Sequence, residues 1–153
     1  MKKIETSAYE LAQRFVGEIR ERPGEKDHPF IVWCHSLCGL DAADEVPWCS
    51  SFANGIAWIL RLPRSKSASA RSWLAVGVPV NHSEAVPGFD VVILKRGEGE
   101  QPGPEVLNAA GHVGFFGGFE SGRVLVLGGN QGDQVSVAPF PMSSILGIRR
   151  LAA

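Results

Sequence analysis

The sequence has little that would tie it to a charged polymer or carry it across a membrane. Its 15 Lys and Arg stand against 16 Asp and Glu, a formal net charge of -1. That balance gives nucleic acid or an anionic lipid surface no general electrostatic hold, so any ligand must be recognised by local groups. No apolar run approaches the roughly 20 residues needed to cross a bilayer. The longest, ANGIAWIL and RVLVLGG, have the length of one short helix and one strand. The first residues, MKKIETSAYELAQRF, contain two lysines but no apolar stretch of export-signal type. The expectation is synthesis in the cytoplasm without a signal peptide. Cysteine is scarce and odd in number: Cys34, Cys38 and Cys49 leave at least one thiol unpaired in any scheme, and a reducing compartment would leave all three free. Charged residues make up only 20% of the chain and hydrophobic ones 44%, which excludes a disordered protein. At 153 residues, one compact domain spanning 1–153 is expected, with no separate binding module.

The first half of the chain has helical periodicity. Leu11, Ala12, Phe15, Val16 and Ile19 recur at three- and four-residue spacing behind a capping Ser7, predicting a helix over 7–22 stopped by Pro23 and Gly24. A second helix is predicted over 28–40, with Phe30, Ile31, Cys34, Leu37 and Cys38 on one side. A third, over 49–61, carries the stripe Phe52, Ala53, Ile56, Ala57 and Leu60 and ends before Pro63. A short helix over 68–75 follows. From Pro87 the pattern changes to β-branched and aromatic runs separated by turn residues, predicting strands over 90–94, 112–119, 123–129, 134–140 and 145–150. The Gly- and Pro-rich stretch 96–111 reads as a long surface loop of functional character. Helices first and antiparallel strands afterwards give an α+β domain, its N-terminal helices packed on a five- to six-stranded antiparallel sheet.

Cys49 stands where the third helix begins. A thiol there lies beside unpaired backbone N–H groups and the positive end of the helix dipole, both of which favour thiolate. A nucleophilic thiol needs a base, and the histidines are His28, His35, His82 and His112. The first two fall at or within the second helix and His82 in a polar turn. His112 opens an apolar strand between two glycines, where a side chain can be aimed at a facing helix terminus. Pairing Phe119 with Arg123 around a three-residue turn, Glu120-Ser121-Gly122, puts His112 opposite Asn130, close enough for an amide oxygen to orient the imidazole. A slip of register or a bulge at Gly128-Gly129 would bring Gln131 there instead.

The motifs VPWCSSFANGIAWIL, SASARSWL, PGFDVVIL, GHVGFFGG and VLVLGGNQGDQVSV, in that order, resemble single-domain phage and prophage cell-wall hydrolases of the papain-like cysteine peptidase superfamily, related to CHAP and NlpC-type enzymes. The resemblance covers roughly residues 9–150. It implies Cys49 as nucleophile, His112 as base and then acid, and Asn130 as orienting group, acting on an amide or peptide bond of the murein stem as an endopeptidase or an N-acetylmuramoyl-L-alanine amidase. No cofactor and no metal are implied. The implied partner is the peptidoglycan stem peptide; a holin or secretion partner would deliver the enzyme to the periplasm or cell wall, an immunity protein would restrain it, and a monomer is expected. Trp48, Asp44, Arg71, Trp73 and Gln131 are candidate substrate-binding residues, the arginine for stem carboxylates and the tryptophans for sugar or peptide. Many CHAP domains have a glutamine before the cysteine; Trp48 fills that place here, so an oxyanion contact must come from elsewhere, the Cys49 backbone N–H being one candidate. Two other classes compete: a catalytically silent murein- or protein-binding relative, and a metal-binding module using Cys34, Cys38 and Cys49 with His35. The second is disfavoured because His35 points about a quarter-turn from the helical face shared by Cys34 and Cys38.

Overall fold

The computed structural model describes residues 1–22 and 27–152. Helix α1, Ala8–Gln13, opens with a capping box: the Ser7 hydroxyl accepts from the Glu10 N–H, and the Glu10 carboxylate accepts from the Ser7 N–H at 2.8 Å. The predicted helix over 7–22 is therefore much shorter than its apolar periodicity indicates. Turns follow α1 as far as Gly17, which takes φ +78°, and residues 19–21 then run beside residues 133–135, exchanging backbone hydrogen bonds such as Val135 N–H to Ile19 O and Glu21 N–H to Asp133 O. Pairing with the sheet edge satisfies the same polar groups that a longer helix would have used. The predicted stop at Pro23 and Gly24 lies outside the described residues.

Helix α2, Pro29–Ser36, begins with proline at its first position, where no intrahelical donor is needed, and is capped by His28, whose Nδ1 accepts from the Phe30 N–H. It ends in a turn through Gly39 rather than continuing to residue 40. Helix α3, Cys49–Ile59, is the central one, with every residue from Cys49 to Ala57 buried. A 3-10 helix, Ala70–Ala75, closes the helical half.

Six strands form one antiparallel sheet: β1 (Val78–Pro79), β2 (Asp90–Lys95), β3 (Gly111–Glu120), β4 (Arg123–Gly128), β5 (Ser136–Pro141) and β6 (Ile145–Arg150), in the order β1-β6-β2-β3-β4-β5. The two-residue edge strand β1 is too short to leave a periodic signature, and β5 starts two residues later than its apolar run predicts. The larger core lies between the helices and the sheet, around Trp48, Phe52, Trp73, Val113 and Phe115. A smaller one, including Val92, Phe116, Val126 and Ile148, fills the other face.

The β3–β4 hairpin sets the register on which the site depends. Its turn has two residues, Ser121 at φ +50° and Gly122 at φ +74°, so Glu120 pairs with Arg123 in place of the expected Phe119. A bulge between Phe116 and Gly118 then shifts the pairing by one, giving Phe116 opposite Val126 and Phe115 opposite Leu127. Turn and bulge offset each other, and the far end of the hairpin arrives in the register that the three-residue turn would have produced.

Candidate active site

Cys49 is the first residue of α3, and no side chain caps that helix start. The unpaired amides of the first turn therefore leave partial positive charge beside the sulfur. His112 is the second residue of β3, paired with Leu94 of β2. Cys49 is 3% exposed and His112 6%, so both groups are almost fully buried, in the walls of two cavities. The thiol and imidazole are within hydrogen-bonding reach, and the backbone N–H of Val113 also faces the sulfur.

Burial alone would raise the thiol pKa strongly. The His112 hydrogen bond and charge, the Val113 N–H and the Arg96 guanidinium together outweigh it, and Cys49 is held below the ordinary thiol range. His112 has the complementary shift. Burial would lower its pKa, but the Cys49 hydrogen bond and charge and the Gln131 hydrogen bond raise it above the ordinary imidazole value, against an opposing contribution from Arg96. Both shifts favour a thiolate–imidazolium pair. The other two thiols move the opposite way: burial pushes Cys34 and Cys38 up, leaving them protonated and unreactive.

Gln131, not Asn130, holds the imidazole. His112 Nε2 lies 2.8 Å from Gln131 Oε1. The Gln131 amide nitrogen donates to the carbonyls of Val126 at 3.1 Å and Ser136 at 2.8 Å, so the amide can only present its oxygen to the ring. His112 Nε2 must then carry the proton, and Nδ1 is left for the thiol. Asn130 loses the place that register gives it because β4 ends at Gly128 and the chain turns back through Asn130 at φ +58°. A side chain on Gly128 would start 2.7 Å from Gln131 Oε1, so the glycine there makes room for this amide. Phe140 of β5 stacks on the His112 ring with centroids 5.3 Å apart. Sequence reasoning missed Phe140, and strand register gives no sign of it: Phe140 pairs with Val124, which pairs with Phe119 at the turn end of β3, away from His112.

Four expected substrate contacts prove to be internal. Trp48 is fully buried and donates Nε1–H to Glu21 at 2.9 Å, and Trp73 is fully buried and donates to the Ser50 hydroxyl at 2.9 Å. Asp44, also buried, accepts from the backbone N–H groups of Arg22 and His28. Arg71 is buried with its guanidinium donating to the carbonyls of Pro102, Gly103, Val106 and Ala110. The two indoles and the guanidinium are taken by the protein itself, and Asp44 uses Oδ2 for two backbone N–H groups while its buried Oδ1 has no partner among the described residues; all four side chains fold inward rather than face a ligand. Of the remaining histidines, His28 caps α2, His35 is buried against the Ser51 hydroxyl at 2.8 Å, and His82 is exposed. Among the described residues no three His, Cys, Asp or Glu side chains come together as a metal site.

No protein-family model matches this sequence, and no curated protein matches it. Among solved structures the chain is similar to NlpC1 from Trichomonas vaginalis, with a TM-score of 0.54 and 15% identity, over 98% of this chain and 46% of that one. Its fold is NlpC-like. The chain spans about half the length of that protein, and at this identity the likeness is one of architecture. In this NlpC-like domain, the helix that starts at Cys49 packs on an antiparallel sheet whose third strand starts beside His112.

Proposed function

We propose that the protein is a cysteine peptidase or amidase that hydrolyses an amide bond of the peptidoglycan stem. The observation that carries this reading is the buried relay in which Gln131 orients His112 and His112 faces a thiol at a helix start. The NlpC-like fold and the sequence's resemblance to cell-wall hydrolases support murein as the substrate.

In this reaction the Cys49 thiolate attacks the scissile carbonyl, a C–S bond forms, and the carbonyl electron pair moves onto oxygen. The backbone N–H of Cys49, which has no acceptor among the described residues, can donate to that oxyanion. The oxyanion collapses, the C–N bond breaks, and His112 gives its Nδ1 proton to the leaving amine. Water then enters, His112 takes one of its protons, and hydroxide attack on the thioester releases a carboxylic acid and restores the thiolate–imidazolium pair. Gln131 keeps the ring in one tautomer throughout.

Purified sacculi incubated with the wild-type protein should release soluble fragments whose masses identify one cleaved bond. Cys49→Ala should lower that release by roughly 10³-fold or more. Release unchanged by Cys49→Ala would overturn the proposal.

A further inference from the structure

Two cavities adjoin the catalytic pair. One, of about 450 Å³, includes His112, Gln131 and Phe140 in its wall. The other, of about 350 Å³, includes Pro47, Cys49 and Gly111. Arg96 belongs to both walls, and Lys95 to the first. Neither wall contains an aspartate or a glutamate, although the chain as a whole is slightly acidic.

Arg96 is exposed, and among the described residues it has no ion-pair partner and no hydrogen-bond acceptor. Arg71 spends its guanidinium on backbone carbonyls and Arg150 pairs with Asp90 at 2.7 Å, so both are internal fasteners. Arg96 alone of these three lines both cavities, near enough to the reacting groups that its charge acts on both Cys49 and His112. A guanidinium offers paired parallel N–H donors that match a carboxylate.

We propose that Arg96, assisted by Lys95, forms a subsite for a substrate carboxylate next to the scissile bond, so that the protein favours peptides with a free carboxylate there over their carboxamides. This rests on the reading of the site as a peptidase or amidase. The subsite gives the neutral composition a local means of selecting an anionic ligand, which the buried Arg71 cannot supply.

The test uses a synthetic stem peptide with free carboxylates and the same peptide with those groups amidated. On wild-type protein, kcat/KM should favour the carboxylate peptide by about 10-fold or more. Arg96→Gln should reduce that ratio to within about 2-fold, mainly through KM, and Arg96→Lys should restore part of it. Comparing the ratio cancels any general effect of the guanidinium on the thiol. The same two peptides should be titrated calorimetrically into Cys49→Ala protein, where binding is read without turnover. Preferential binding of the carboxylate peptide that Arg96→Gln abolishes supports the subsite even if neither peptide is cleaved, a result that would count against hydrolysis alone. Equal binding of the two peptides, or a preference that survives Arg96→Gln, overturns it.

Discussion

Two hydrogen bonds from one amide group decide which nitrogen of His112 meets the thiol. Because the Gln131 NH2 is committed to the Val126 and Ser136 carbonyls, its oxygen must accept from His112 Nε2, and that bond stabilises imidazolium more than neutral imidazole. Removing it should lower the His112 pKa. The basic limb of the pH–kcat/KM profile, where imidazolium loses its proton, should then move to lower pH in Gln131→Ala, with kcat reduced by roughly 10- to 100-fold. Asn130→Ala should leave the basic limb in place. Steady-state kinetics across the pH range distinguish the two residues; equal effects would mean that the amide of Gln131 has no orienting role. At this scale Cys49 and His112 were legible in the sequence because a helix start and a strand start are marked by neighbours: Pro47 before the one, Gly111 before the other. The choice between Asn130 and Gln131 was not, since it turns on the backbone sign of one loop residue that no periodicity reports.

The elements that meet at the site are tied together by close backbone approach. Gly129, just beyond β4, faces the start of α3 so tightly that an added Cβ would lie 2.6 Å from ring atoms of Trp48 and 2.9 Å from Phe52 Cβ. Trp48 cannot yield easily, being fully buried and held by Glu21. Gly129→Ala should therefore cost about 1–3 kcal/mol of overpacking strain, read as a lower denaturant midpoint with little change in slope. An unchanged midpoint would mean that α3 and the loop are less firmly docked than the packing indicates. Helix α3 was readable from its apolar stripe, and strands β2, β3, β4 and β6 from β-branched or aromatic runs bounded by turn residues. Residues 14–22 were not. Their apolar spacing suits a helix, but Ile19 is buried and Phe15 packs against the core with the chain turning at Gly17 and joining the edge beside residues 133–135, a contact distant in sequence.

Across the whole molecule, Arg71 joins the helical half to the long loop that leads into β3. Its four carbonyl acceptors all lie between residues 102 and 110, so a single buried cation fixes a Gly- and Pro-rich segment that has no regular structure. Arg71→Met would keep the apolar stem and leave those carbonyls without their donor, at a cost of about 2–4 kcal/mol. Hydrogen exchange should accelerate across 102–110 well before global unfolding, and exchange in that segment matching the wild type would contradict the clamp. The sequence marked this loop as functional and Arg71 as important, but assigned the guanidinium to a ligand. Burial reverses that assignment, and burial of a charged residue is what local pattern conveys least. Fold class was legible at this scale for a simpler reason: the change from helical to strand periodicity near residue 87 occurs once, and one antiparallel sheet with helices packed against it is the economical way to bury both halves.

The His112 hydrogen bond and charge hold the Cys49 thiol below its ordinary range. Thiolate absorbance near 240 nm, titrated with pH for wild type, Cys49→Ala and His112→Ala, measures this directly. Wild type minus Cys49→Ala should show one thiolate forming below the ordinary thiol range, about pH 8.5, and in His112→Ala that step should move upward by more than one pH unit. A Cys49-dependent signal that appears only above the ordinary range, or one indifferent to His112, would contradict the account.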